Sequence, residues 1–350
     1  MKFEVRPAPQ WRARTSVPRV MYTVVLALLP AVVVHTWFYG VGLLANIVVA
    51  IATGLVTEAV ALRLRGRPAD VLPGDGSAVV AAVLFAFALP PLCPWWVTAI
   101  GMVFAIGFAK HLYGGLGYNL FNPAMAGYAL VLVSFPALMT AWPSPDIGDI
   151  DYRHPGVATT LRYTLTGRTG DAPPGLAGLD AIARPTVLAS TRDGLAARRT
   201  MDELRASPLY GDFGGAGWEW VGNFVAIGGL VLLLTGVIRW HTPAAFLGGL
   251  LGMAGVFWLL DPGVHPSPGY HLFTGGAMLG AFFIVTDPVS SPVTARGRLI
   301  FGAGAGVLTY VIRTWGTWPD GVAFAVLAMN AAVPLIDRYT RPVVYGRAAP

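Results

Sequence analysis

The chain has 350 residues, 55% of them hydrophobic and 12% charged, with a mean hydropathy of +0.61; this balance excludes an ordinary water-soluble domain and makes the bilayer its solvent. A net charge of +6 and a pI near 9.6 do not indicate nucleic acid, because the arginines stand at the ends of apolar runs instead of forming one basic face. The single cysteine, Cys93, excludes an internal disulfide and any zinc or iron–sulfur centre built from several thiolates of this chain.

In chain order, the first segment is basic and runs into apolar sequence with no small-residue cleavage pattern, which predicts a retained helix and not a removed signal peptide. Apolar spans follow at 20–38 and 42–62, a shorter one at 76–89, then 94–109 and 121–135. A long polar stretch, 137–217, separates these from 218–238, 243–260, a short 275–289, 299–312 and 321–336. About ten spans result, at roughly 20 residues for a full crossing. Glycine and proline interrupt several of them, which membrane helices tolerate where neighbours satisfy the freed backbone groups.

Two segments align in position: Asp75-Gly-Ser-Ala-Val-Val-Ala-Ala-Val-Leu-Phe and Thr274-Gly-Gly-Ala-Met-Leu-Gly-Ala-Phe-Phe-Ile, each the third span of a five-span half. An odd number of spans per half inverts the second half relative to the first, an arrangement that places ligand sites beside short, broken helices. Small residues recurring for close helix packing would give similar local composition; position favours the repeat. The expected fold is an all-α polytopic membrane protein of two inverted five-helix repeats with short broken helices and one exported loop domain. Its divisions are an N-terminal segment 1–19, a first repeat 20–136, the loop 137–217, a second repeat 218–337 and a tail 338–350. Arg and Lys favour the cytoplasmic side of spans. Arg19, Arg63, Arg65, Arg67, Lys110, Arg239, Arg296, Arg298, Arg338 and Arg341 fall there together when both termini are inside and 137–217 is outside.

Chemistry concentrates in a few places. The glycine-rich run from Lys110 to Leu130 includes Asn119 and enters a helix at Asn122-Pro123, an N-cap followed by proline at the first helical position. Free amide donors at such a start suit a carbonyl-rich ring or a phosphate, and a tight re-entry turn is the plainer alternative. Ionisable groups in or beside spans are functional candidates by default. Asp287-Pro288 interrupts a broken span, where its carboxylate would cap, bind a cation or hydrogen-bond a ligand. Glu58 reads as snorkelled or paired with the arginines from Arg63 onward at least as readily as an ion-pathway group, and Asp337 as an end-of-helix pair with Arg338. His35, near a helix end, reads as an interfacial residue; no haem-attachment motif accompanies the six histidines.

The Lys110–Leu130 run, His271-Leu-Phe-Thr-Gly-Gly-Ala-Met-Leu-Gly-Ala-Phe-Phe-Ile-Val-Thr-Asp-Pro-Val, Arg296-Gly-Arg-Leu-Ile-Phe-Gly and the stretch from Trp318 to Pro342 resemble the family of D subunits of bacterial Rnf electron-transport complexes, over nearly the whole chain. The B subunit of the sodium-pumping quinone reductase is the nearest alternative, and a flavin-free channel or transporter is the alternative of another class. The resemblance implies FMN joined through its phosphate to a threonine in the loop. Leu179-Asp-Ala-Ile-Ala-Arg-Pro-Thr-Val-Leu carries that acceptor pattern, with Thr186 as acceptor and Asp180 opening the motif. Ala183 stands where the family has Ser, and Pro185 where it has a small residue, which removes an amide donor and restrains the chain beside the acceptor. Thr191 and Thr200 are nearby hydroxyls in poorer context. The resemblance also implies a second, non-covalent flavin such as riboflavin in the membrane domain, with Asn119, Asn122 and Asp287 as its candidate contacts. It further implies partner subunits, among them a second FMN-bearing subunit and iron–sulfur subunits, and a flavin transferase during maturation. The setting implied is the bacterial inner membrane.

Overall fold

The computed structural model describes residues 16–67, 75–146, 156–167 and 183–341; Asp180 lies outside them. The described chain is α-helical apart from one two-residue ladder, as expected of an all-α polytopic membrane protein. Helices α1 (Val17–Tyr39) and α2 (Gly42–Leu64) form a hairpin, followed by the short α3 (Ser77–Ala88). Next, α4 (Trp95–Val103) runs on as a π-helix through Phe104–His111, and α5 (Pro123–Ser134) closes the first group. The intervening segment holds α6 (Pro136–Met139), β1 (Trp142–Pro143), α7 (Val157–Thr166), β2 (Ala183–Arg184), α8 (Val187–Ala196) and α9 (Met201–Arg205).

The second group comprises α10 (Trp218–Leu234), α11 (His241–Leu260), α12 (Pro268–Leu272) and α13 (Ala277–Leu279), the last continuing as a π-helix over Gly280–Ile284. It ends with α14 (Ala295–Trp315) and α15 (Val322–Thr340). Among the described residues, α1, α2, α11 and α15 are long and apolar enough to cross a bilayer by themselves. Helix α14 is as long, at 21 residues, but carries Arg296, Arg298 and Arg313; the remaining ones are shorter.

Packing repeats between the two groups. Helix α2 lies on α4 as α11 lies on α14, α4 precedes and packs on α5 as α14 does on α15, and across the halves α1 meets α10 while α5 meets α15. The crossings are close because small residues stand at them: Gly228 on α10 faces the Ala27 carbonyl and Gly306 on α14 faces the Phe246 carbonyl, with no room at either for a Cβ. Small residues thus serve packing. The aligned glycines do something else, for Gly76 and Gly275 hold φ of +71° and +58° just ahead of the two broken helices, backbone that glycine adopts without strain.

Those broken helices are the centre of the molecule. Eight of the twelve residues of α3 are buried, and every residue from Ala277 to Val285 is too. Helices apolar on all sides belong inside a bundle and not at its surface.

One end of the bundle, the loop end, carries the segment between α5 and α10: Tyr39 at the close of α1 packs on Trp142 and Trp218. At the other, basal end, Val20 and Met21 of α1 lie beside Asp287, and Asp337 and Thr340 of α15 bond to Val293 and Thr294. Both ends of the described chain are therefore basal.

Candidate functional site

Each end of the bundle opens into a cavity beside the start of one broken helix. The loop-end cavity, about 140 Å³, is lined by Thr186, Pro185, Tyr39, Trp142, Trp218, Gly275, Gly276 and Asp320, and reaches inward to Met125 and Ile284. The basal cavity, about 130 Å³, is lined by Ser77, Lys110, Asn119, Asn122, Phe283 and Asp287. Thr186 is thus separated from Asn119, Asn122 and Asp287, which the fold brings together. The two spaces approach closely, since Ala124 and Met125, and likewise Phe283 and Ile284, are chain neighbours facing opposite cavities.

Thr186 sits where β2 hands over to α8. β1 and β2 pair antiparallel, Trp142 opposite Arg184 and Pro143 opposite Ala183, so the acceptor segment is laid against the chain leaving α5. Pro185 falls just past the ladder, where no paired amide is lost. Extended backbone at Thr186 (φ −65°, ψ 160°) makes it the N-cap of α8, its Oγ1 accepting from Ala189 N–H at 3.2 Å.

Helix α8 is then tied down on two sides. Thr191 Oγ1 lies 2.7 Å from the hydroxyls of both Tyr210 and Tyr270, and Arg192 donates to the Thr317 carbonyl at 2.9 Å. The competing hydroxyls are placed differently: Thr191 is buried in that network, and Thr200 closes a capping box with Glu203 on α9. Thr186 is the one of the three that lines the cavity.

An aromatic cluster lines the same cavity as Thr186. Trp142 and Trp218 meet edge to face at 5.4 Å, and Tyr39 stands 5.6 Å from Trp218. His35 is fully buried behind them, 5.1 Å from Tyr39 and 5.7 Å from Trp218, which corrects its reading as an interfacial residue. It is inside because α1 turns that face toward α3 and α10 and not toward lipid.

Each broken helix is anchored by a buried cation from the end of the next-to-last helix of its half, Lys110 after α4 and Arg313 on α14. In the second half Arg313 donates to Asp320 at 2.9 Å and to the carbonyls of His271 and Thr274 at 2.7 and 3.0 Å, while Asp320 accepts the Gly276 amide at 2.6 Å. In the first, Lys110 donates to Glu58 and to Ser77 Oγ at 2.7 Å. His111 Nε2 approaches the same Glu58 oxygen at 3.5 Å. Glu58 is therefore paired with Lys110 and not with the arginines from Arg63 onward; it points inward from α2, and the arginines follow the helix out of the bundle.

The asparagines are more committed than free donors would be. Asn122 Oδ1 caps Met125 N–H at 3.1 Å, its own amide donates to Asn330 Oδ1 at 3.0 Å, and its side chain reaches the Ile284 carbonyl at 3.4 Å. Asn119 donates to the Phe121 carbonyl at 3.1 Å. Asp287 accepts from Val289 N–H and Ser290 Oγ at 3.1 and 2.8 Å, fixing the turn that ends the second broken helix. Of its three proposed tasks the structure displays capping, while its place on the cavity wall leaves ligand contact open to it. Asp337 accepts from Val293 N–H at 3.2 Å, so it caps a neighbouring turn where an ion pair with Arg338 was expected.

A bundle of packed, broken apolar helices, with Thr186 on the wall of one cavity and Asn119 and Asn122 on that of the other, defines an all-α polytopic membrane protein. The comparisons agree on which kind. The chain matches the model of the NQR2, RnfD, RnfE family over residues 4–346 and belongs to that family. It is 45% identical over 350 residues to the D subunit of the ion-translocating oxidoreductase complex of Escherichia fergusonii, covering 99% of both chains. It is 46% identical over 350 residues to the protein of the same name from Salmonella newport, and 45% over 354 residues to that from Vibrio vulnificus, again covering 99% or more of each chain.

Proposed function

We propose that this chain is the D-type membrane subunit of an Rnf-like ion-translocating oxidoreductase complex and carries electrons on FMN joined to Thr186 by a phosphoester. The observation that carries the reading is the placement of Thr186: it lines the loop-end cavity together with Trp142, Trp218 and Tyr39. Full-length relatives bearing the D-subunit name favour this over the quinone-reductase B subunit. The acceptor motif favours it over a flavin-free channel, which has no use for one.

The residues present suit the group. An apolar, aromatic wall accepts a flat ring, and Gly275 and Gly276, packed closely on Asp320, line the space with backbone. When bound, a flavin supplies one-electron exchange, and the phosphoester holds it by its tail so that the ring is left free. The chain's own part is to position. Thr191, Tyr210 and Tyr270 fix α8, Arg313 and Asp320 fix the floor of the cavity, and the packed aromatic wall keeps water away.

In the basal cavity Asn119, Asn122 and Asp287 stand with Lys110 around a second apolar space, the setting proposed here for a non-covalent flavin such as riboflavin. Basic residues at the basal span ends, Arg19, Arg63, Arg239, Arg298 and Arg338, support a cytoplasmic basal face and a periplasmic loop segment in the bacterial inner membrane. The partners are then the other subunits of the complex, including a second FMN-bearing subunit and iron–sulfur subunits, whose clusters lie outside this chain because it has one cysteine. A flavin transferase serves its maturation.

The test is in-gel ultraviolet fluorescence and intact mass of the denatured chain after co-expression with a flavin transferase, with Thr186→Ala beside it. Covalent flavin on the wild type alone is the expected result. No flavin on either chain, with the transferase active on a control substrate, would defeat the reading.

A further inference from the structure

Helix α7 has three distinct sides. Thr160, Tyr163 and Thr164 are buried, Tyr163 against Leu92 and Ala141 at the loop end, and the helix rests on α2. Val157, Leu161 and Leu165 are 56%, 41% and 63% exposed. Spaced four apart, they form one stripe. At about 100° per residue this stripe lies directly beside the packed side, and the exposed Arg162 and Thr166 lie beyond it. No acidic residue occurs in the helix.

We infer that α7 is an interfacial helix, its Val157–Leu161–Leu165 stripe seated in the lipid leaflet at the loop end of the bundle and Arg162 directed to the phosphate headgroups. A helix lying in the membrane surface has this order of sides: protein, then acyl boundary, then charged groups toward water. Continuity with the lipid-facing surface selects lipid over a protein partner. Helix α2, on which α7 rests, exposes Leu44 and Val48 from its loop-end half. Trp95 and Trp96, three and four residues beyond Leu92, are exposed as well, and Trp96 packs edge to face on Phe135 at 5.0 Å. Exposed tryptophans at one end of a span mark headgroup depth, and α7 shares that level through Leu92. The seat fixes on the bilayer surface part of the segment that leads to Thr186.

The inference needs no flavin, so its test is separable from that of the acceptor. Full-length chains carrying Leu161→Cys, Leu165→Cys or Arg162→Cys are labelled with an environment-sensitive fluorophore, Cys93 being buried. They are then reconstituted into phosphatidylethanolamine–phosphatidylglycerol vesicles. Lipid nitroxides placed just below the headgroup are expected to quench labels at 161 and 165 at least ~2-fold more than at 162, with aqueous iodide giving the opposite order. Two stripe positions guard against one variant failing to fold. Equal quenching at the three sites, or iodide access at 161 and 165, overturns the inference. So does shielding of those two sites from both quenchers that appears only when the other subunits are added, which would assign the stripe to a protein partner.

Discussion

Tyr270 reaches Thr191 across 79 residues of sequence, its hydroxyl 2.7 Å from Thr191 Oγ1 and 3.3 Å from the Val187 carbonyl. This bond ties the helix begun by Thr186 to the segment leading into the second broken helix. The acceptor and the bundle therefore move as one body. Tyr270→Phe removes the donor and should cost about 1 kcal/mol locally. Amide exchange over 187–196 should then accelerate while exchange in α11 and α14 is unchanged; unaltered exchange in α8 would show that the tie is dispensable.

Thr186 has one duty in the fold, capping, and a second one proposed for it, acceptance of FMN. Thr186→Ala removes both and should lower stability by ~1 kcal/mol through the lost cap. Thr186→Ser keeps an oxygen for the Ala189 amide and a hydroxyl for esterification, so its unfolding should match the wild type and its mass should still show the flavin. Thermal unfolding and intact mass of both variants separate the two duties.

Glu58 and Lys110 form a buried pair between α2 and the π-helical end of α4. Removing one partner strands the other, so Glu58→Gln or Lys110→Met alone should destabilise by about 3–5 kcal/mol, and the double variant Glu58→Gln with Lys110→Met should recover most of it. Thermal unfolding in detergent would report this. Additive losses in the double variant would mean the two residues act independently.

Asp320, in the turn between α14 and α15, feels two opposed influences. Burial favours its protonated form, but the Arg313 guanidinium and the Gly276 amide outweigh this and hold the carboxyl below its usual value of 3.8. A depressed folded-state value means the carboxylate adds stability above the unfolded value and loses it as pH falls through the folded one. Wild-type stability should therefore fall more steeply than that of Asp320→Asn as pH drops below about 4. Parallel curves would remove Asp320 from the account.

Gly275 holds φ +58° with Asp320, Leu188 and Arg313 within 2.8 Å of where a Cβ would stand. Gly275→Ala should cost ~1–3 kcal/mol of strain and push Asp320, Leu188 and Arg313 out of place at the floor of the loop-end cavity, lowering covalent flavin yield. Gly76→Ala suffers comparable backbone strain at the basal end, where the nearest atom is 3.1 Å away on Met21, and should leave flavin yield at Thr186 intact. Fluorescence of the two denatured chains makes the comparison.

Much of this was readable along the chain, and for identifiable reasons. Partition into a bilayer depends on composition over a window of about 20 residues, so the spans and the two short helices were legible without knowing any contact. The N-cap at Asn122 and the turn at Asp287 were legible too, because capping acts over three residues. The acceptor Thr186 stood out by its resemblance to a family motif, and Asp180, which opens that motif, lies outside the described residues.

Pairings between distant segments belong to the fold alone. Lys110 looks like one more topological cation in sequence, and only the approach of α4 to α2 places it against Glu58, 52 residues away. His35 looks interfacial until α1 is rotated so that Tyr39, Phe87 and Trp218 enclose it. The separation of Thr186 from Asn119, Asn122 and Asp287 into opposite cavities likewise follows from the two broken helices entering the bundle from opposite ends. Hydropathy and capping are local, so the sequence by itself determined which segments enter the membrane and where their helices begin. Which side chains meet there depends on how the helices rotate and cross, and that is decided only when their small residues and buried charges pack together.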